Sequence, residues 1–322
     1  MLGEPYGSRP RPDPDRPVHT LDIDHLTKAY GGTPAVTDLT FTVEPGRVTG
    51  FLGPNGAGKS TTMKVLLDLA SADAGTATIG GRRYRDLDDP AGTVGVILEP
   101  DAFHPARTGR NHLRVVCDGA GFPHARVDEV LGLVGLADAA DRRAGGYSMG
   151  MRQRLGLAAA LLGEPDVLVL DEPANGLDPQ GMRWLRDLLR WLADEGRTVF
   201  VSSHLLAEME QLADEVVVIN RGRLVTTGRV AELRQSGTVV RSPDLSRLAD
   251  ALEQAGAEVV RRPDDSLVVH GVETAEVGDT AHRLGVPLHE LSDQVGSLEE
   301  LFLGLTDDRA APAGATATEV HP

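Results

Sequence analysis

VTGFL, Val48–Leu52, runs directly into GPNGAGKS, Gly53–Ser60. The first five residues are a short apolar run, as expected of a strand buried on both faces. The next eight fit the pattern G-x-x-x-x-G-K-[ST]. Glycines at Gly53, Gly56 and Gly58 let the backbone curl so that successive N–H groups point inward at phosphate oxygens. A helical pattern follows over about 58–69, and its positive N-terminal end adds to the same anion site. In such a loop Lys59 reaches the outer phosphates of a nucleoside triphosphate, and the Ser60 hydroxyl is offered to Mg²⁺.

The loop gives meaning to a second segment. Val167–Leu170 is another short apolar run, and it ends in Asp171 and Glu172. Ligands of parallel sheets gather at the carboxyl ends of the strands, so Asp171 can meet the Mg²⁺ held by Ser60. Glu172 is one residue further on and faces another way, where it can hold an attacking water. Alone, two acids at a strand end would be read as a solvent edge. Phosphoryl transfer needs both in-line water and charge neutralisation, and one carboxylate does not readily do both.

Outward from these segments the pattern is regular. Leu21–Tyr30 and Ala35–Val43 alternate apolar and polar residues, as half-buried antiparallel strands do. Val94–Leu98, Val199–Ser202 and Val216–Ile219 read as further buried strands. Helical stripes fall near 108–118, 126–135, 149–162, 180–194 and 204–212. Strands alternating with helices predict an α/β fold with a central, mostly parallel sheet. From about Gly237 the order becomes strand (238–241), helix (244–255), strand (257–261), strand (267–270), helix (274–284), strand (287–291) and a last helix (297–305). The first six elements match the β-α-β-β-α-β order of a ferredoxin-like α+β unit. Expected boundaries are a disordered leader 1–18, a first domain 19–236, a small domain 237–308 and a disordered tail 309–322.

Composition narrows the function classes. The net charge of -16 disfavours broad nucleic-acid binding. Only Lys28, Lys59 and Lys64 are lysines among 32 basic residues, so a lysine inside a phosphate-loop pattern is informative. The single cysteine, Cys117, cannot make an internal disulfide and reads as a small buried side chain on an apolar face. No apolar run reaches the roughly 18 residues that span a bilayer, and the N-terminus has no signal-peptide core. A cytoplasmic chain is expected, with any membrane role exerted through a partner.

Further segments then resemble one family. YSMGMRQR, Tyr147–Arg154, resembles the signature of ABC ATPases, usually LSGGQ and a basic run; NGLD, Asn175–Asp178, looks like their D-loop. His204 follows a strand as their switch histidine does, and Tyr30 precedes the loop where the family places an adenine-stacking aromatic. The resemblance covers about 21–235. It implies a P-loop NTPase domain with a central sheet, an antiparallel β subdomain and a helical subdomain. It implies ATP and Mg²⁺ as cofactors, and a nucleotide site of Tyr30, Gly53, Pro54, Asn55, Gly56, Ala57, Gly58, Lys59, Ser60 and Thr61. It also implies head-to-tail homodimerisation, with Ser148, Gly150 and Asp178 acting across the interface. Glu172, His204 and Lys59 become the catalytic residues. On their own, Ser148–Gly150 would be an ordinary helix cap and His204 a cap or surface residue.

Two departures stand out. Glu99 occupies the place of the family's Q-loop glutamine; a carboxylate there can bind Mg²⁺ or water, so it joins Ser60 and Asp171 as a metal candidate. Tyr147, Met149 and Met151 replace Leu, Gly and Gln in the signature. The end of the chain, VPLHELSDQVGSLEELFLGLT, resembles bacterial drug- and antibiotic-exporter ATPases. The implied function is the ATP-hydrolysing subunit of an exporter, peripheral on the inner membrane face, working on a separate permease. Phe103 and Phe122 are candidates for the surface it docks on. The alternative is a soluble ABC ATPase of the ribosome or DNA; one phosphate loop and no sustained heptads weigh against it.

Overall fold

The structure, a computed structural model, describes residues 18–98, 102–233, 236–262, 264–295 and Leu298. The predicted leader (except Val18), Glu99, the last helix (except Leu298) and the tail fall outside the described residues. The chain divides into two compact units, Met1–Ala231 and Glu232–Pro322.

The first unit opens with an antiparallel pair, β1 (Leu21–Tyr30) and β2 (Thr33–Val43), turned by Gly31 and Gly32. β3 (Arg47–Leu52) leads into α1 (Lys59–Leu66), then β4 (Ala74–Ile79) pairs back on β1 to give the sheet β2-β1-β4. A short α2 (Pro90–Thr93) precedes β5 (Val94–Ile97). Three helices follow: α3 (Gly109–Ala120), α4 (Ala125–Leu133) and α5 (Met149–Ala160). The chain returns through β6 (Val167–Leu170), α6 (Pro179–Asp194), β7 (Thr198–Ser203), α7 (Leu206–Leu212), β8 (Glu215–Asn220) and β9 (Arg223–Arg229). These strands form the sheet β5-β6-β7-β3-β8-β9, parallel throughout except for the antiparallel β9. The short α8 (Val230–Leu233) lies at the division between the units.

Apolar runs become central strands because both of their faces are covered: β6 and β7 are buried at every residue. The two sheets of this unit share one core. Phe41 of β2 lies 5.3 Å from Phe51 of β3 and 5.9 Å from Phe200 of β7, and the last two are 5.1 Å apart. Such tilted aromatic contacts add to the area they bury. Four helices begin on side-chain caps. Asp89, Thr108, Ser148 and Asp178 accept from the backbone N–H of Gly92, Asn111, Met151 and Gly181 respectively.

The second unit contains β10 (Ser236–Arg241), α9 (Leu245–Gln254), β11 (Glu258–Arg261), β12 (Leu267–His270), α10 (Thr274–Leu284) and β13 (Glu290–Val295). Its sheet runs β11-β12-β10-β13 with antiparallel neighbours, the ferredoxin-like order. The last strand sits later than the expected 287–291. Its ladder to β10 pairs Arg241 with Glu290 and Ser236 with Val295, so the pairing partner, not the apolar residues Val286 and Leu288, fixes where the strand lies. Two strands, β4 and β9, were not anticipated as separate elements.

Candidate functional site

β3 delivers the glycine loop to the carboxyl edge of the central sheet. Gly53 is pressed against β8, where a Cβ would fall 2.4 Å from the Ile219 carbonyl oxygen. Gly58 has φ +109, and a Cβ there would sit 2.6 Å from the Ala35 carbonyl oxygen. Only glycine meets both demands, a left-handed backbone and a close approach. Gly56 (φ +81) has open space beside it. Pro54, Asn55, Gly56 and Ser60 are exposed; Gly53, Ala57, Gly58 and Lys59 are buried. The loop is therefore anchored at both ends and open at its rim. Thr61 lies in the first turn of α1, whose N-cap Gly58 contributes no side-chain hydrogen bond. Tyr30 ends β1, is half exposed and has the Lys28 ammonium 5.3 Å from its ring centroid.

Lys59 donates to the Gly53 carbonyl (2.6 Å) and lies 3.5 Å from a Glu172 oxygen. Ser60 Oγ is 2.5 Å from Asp171 Oδ2. The other Asp171 oxygen accepts from the buried Ser202 hydroxyl. Glu172 has φ +49, uncommon for a residue with a Cβ, and its N–H donates to Ser202 Oγ at 2.9 Å. Its carboxylate reaches His204 Nδ1 at 2.8 Å. Lys59, Ser60, Asp171, Glu172 and His204 are thus joined in one contiguous network at the strand ends. A hydroxyl and a carboxylate meeting beside a helix N-terminus are hard oxygen donors suited to Mg²⁺, which typically adds phosphate and water to one or two carboxylates. The residues fit Mg-nucleotide.

The signature segment joins a different network. Ser148 is exposed at the start of α5, with Gly150 in its first turn. Tyr147 is buried and donates to the Ala139 carbonyl at 2.7 Å; a Cβ at Gly109 would strike its hydroxyl. Burial raises its phenol pKa. Tyr147 in place of leucine is therefore an internal anchor. Met149 lies over the D-loop: a Cβ on Gly176 would come within 2.2 Å of its sulfur. Gln153 donates to the Asn175 carbonyl at 3.2 Å. Asp178 caps α6 through Gly181 N–H at 2.7 Å.

Three participants escaped the sequence reading. Ser202 is the first; the register Leu170↔Val201 places residue 202 beside Asp171, a signal available once β6 and β7 are paired. Gln153 is the second. Glu208 is the third, a partly buried carboxyl near Ser203, His204 and Glu172, whose pKa is raised by burial and by Glu172 against the lowering influence of His204 and Ser203. Of the two candidate docking aromatics, Phe103 lines a cavity of about 340 Å³ with Lys64, Leu69, Val96, Leu98 and His112. Phe122 is partly buried, with its ring tip over Gly163. Among the described residues no helix is long and apolar enough to cross a membrane.

Comparison with known proteins agrees with this geometry. Residues 36–175 match the family described as ABC transporter, and 236–299 match a domain of unknown function (DUF8746). The chain is 40% identical over 220 residues to the bacitracin transport ATP-binding protein BcrA of Enterococcus faecalis, covering 67% of this chain and 71% of that protein. It is 34% identical to the daunorubicin/doxorubicin resistance ATP-binding protein DrrA of Streptomyces peucetius, over 95% and 99% of the two chains. A solved ATP-binding subunit of an ABC transporter superposes with a TM-score of 0.60 at 28% identity, covering 66% of this chain and 91% of the other. A nucleotide-free cassette at 21% identity (TM-score 0.58, again 66% and 91%) shares the fold. With its glycine loop, acidic strand end and His204 assembled as described, the chain belongs to the ABC transporter family, as an ATP-hydrolysing ATP-binding protein of the drug- and antibiotic-resistance type.

Proposed function

We propose that the chain is the energy-converting subunit of an exporter. In this reading it uses Mg-ATP to close a homodimer and so drives a separately encoded membrane permease. One observation carries the reading: Ser60–Asp171 and Glu172–His204 converge on the mouth of a single glycine loop. The proposed assignment gives residues 19–236 to the ATPase domain and 237–308 to the small domain.

Within the site, Lys59 and the loop N–H groups bind the outer phosphates, while Tyr30 offers its half-exposed ring to adenine. Ser60 and Asp171 hold Mg²⁺, which when bound neutralises charge developing on the phosphoryl oxygens. Glu172 orients the attacking water and takes its proton; His204, oriented by Glu172, contacts the γ-phosphate. Ser148 and Gly150 serve the ATP of the partner subunit, an anion at the start of α5, and Asp178 lies at the same interface. The Phe103-lined cavity is the surface offered to the permease. Relatives named for bacitracin transport and daunorubicin/doxorubicin resistance, and a Nod factor export protein of Burkholderia orbicola at 36% identity over 90% of this chain and 97% of its own, support export. The acidic net charge supports a membrane-protein partner over nucleic acid.

Glu172→Gln is the test. The variant should retain ATP binding, lose nearly all turnover, and remain dimeric with Mg-ATP. Purified from gently solubilised membranes in that state, it should bring a polytopic membrane protein with it. Wild-type hydrolysis would remove Glu172 from its role, and a ribosome or DNA in place of the membrane protein would replace the exporter reading.

A further inference from the structure

We propose that Ser202 is a positioning residue that sets both acidic side chains of the ATP site at once. The inference rests on the roles proposed above for Asp171 and Glu172, and concerns how those two residues are held.

Ser202 is fully buried near the end of β7. A hydroxyl has one proton to donate and lone pairs to accept with. Here the proton goes to Asp171 Oδ1, and a lone pair receives the Glu172 N–H at 2.9 Å. Asp171 is thereby held by both oxygens, since Oδ2 is 2.5 Å from Ser60 Oγ, and its own N–H donates to the Ile97 carbonyl at 2.7 Å. The carboxylate cannot rotate without breaking a hydrogen bond. Glu172 is the residue that leaves the strand in the left-handed region, φ +49. Such a conformation in a residue with a Cβ persists where the surroundings hold it, and the hydrogen bond to Ser202 is attached to that same residue. The turn carries the Glu172 carboxylate to His204 (2.8 Å) and to Lys59 (3.5 Å). One hydroxyl therefore fixes the metal carboxylate through its side chain and the water carboxylate through its backbone. Removing it leaves the partly buried Glu172 N–H and a buried Asp171 oxygen each short of a partner, and the two acids lose their positions together.

The experiment uses the full chain with Ser202→Ala, Ser202→Cys and Ser202→Thr. Three quantities are read: affinity for a fluorescent ATP analogue in excess EDTA, Mn²⁺ affinity beside a non-hydrolysable ATP analogue by electron paramagnetic resonance, and kcat and KM for ATP. Ser202→Ala should keep metal-free nucleotide affinity, which also reports that the variant is folded. Its Mn²⁺ affinity and kcat should each fall roughly tenfold or more, with KM little changed. Ser202→Cys keeps the volume but is a weak hydrogen-bonding group, so it should resemble Ala. Ser202→Thr restores the hydroxyl and should recover both quantities. Native Mn²⁺ affinity and kcat in the Ala and Cys variants would overturn the proposal, as would a Cys variant that matches wild type while Ala does not, since that is the mark of packing alone. Asp171→Asn and Glu172→Gln are measured alongside. If they retain normal turnover, the site reading falls and takes this proposal with it; if they abolish turnover while the Ser202 variants behave normally, only the role of Ser202 falls.

Discussion

Replacing Glu172 by glycine and by alanine should separate the backbone of this residue from its side chain. Glu172 has φ +49. A left-handed residue with a Cβ costs about 1–2 kcal/mol. Glu172→Ala keeps that cost and Glu172→Gly removes it. Glycine gives back roughly 0.5–1 kcal/mol through the greater freedom of the unfolded chain. Loss of the contacts to His204 and Lys59 is common to both and cancels. The glycine variant should therefore be the more stable, by up to about 1.5 kcal/mol, the reverse of the order in an ordinary helix or strand. Both tryptophans, Trp184 and Trp191, lie on α6, so denaturant unfolding followed by fluorescence reports on the first unit alone. Both variants should lose at least about a hundredfold in ATP turnover, as removal of a general base does, with nucleotide affinity intact. An alanine variant more stable than the glycine variant would refute the left-handed turn. Residual turnover near wild type would refute the role of the carboxylate.

Gly53→Ala forces a methyl against the Ile219 carbonyl, 2.4 Å away on a central strand, and should cost about 1–3 kcal/mol of stability together with ATP affinity; equilibrium unfolding and nucleotide titration check both. Lys59→Ala should weaken nucleotide binding itself, which the same titration measures. Arg154 stacks 4.0 Å from the Trp184 ring and donates to the Val134 carbonyl, so Arg154→Ala should cost about 1–2 kcal/mol by unfolding and alter Trp184 emission. The His112 pKa is lowered from 6.5 by burial and by Arg107. Below that pH the unfolded chain takes up a proton that the folded chain resists, so this residue makes the protein less stable as pH falls through that range and has no such effect above it. His112→Leu should flatten that part of the dependence of the unfolding midpoint on pH.

The parts of the fold legible in the sequence are those whose signal is local. β3, β6, β7 and β8 are apolar runs because both of their faces are covered, and the glycine loop announces itself by the backbone it needs. β4 and β9 are harder to see. Ala74–Ile79 has three exposed residues at its start, and Arg223–Arg229 has no buried residue at all, so neither carries a burial pattern. Both exist because a neighbour, β1 or β8, offers an edge. β13 sits later than expected for the same reason: its partner strand sets its position. In the candidate site, the loop pattern and the acidic strand end pointed to Lys59, Ser60, Asp171 and Glu172, and the family resemblance added His204; the structure brings these five together. The Ser202 contacts and the placing of Phe122 over Gly163 depend on which strands and helices become neighbours, and composition does not record that.

The contact between Met149 and Gly176 couples two segments that are usually considered separately. As long as a thioether fills the space over residue 176, any side chain there has to displace it. Residue 176 is therefore held to glycine twice, by the sulfur above it and by its own φ of +75. Met149→Gly would open a gap beside the D-loop, but Gly176→Ala would still carry the cost of a Cβ at φ +75. The unusual signature of this chain therefore has an intramolecular consequence: the space beside Gly176 is closed from the first turn of α5, within the same subunit.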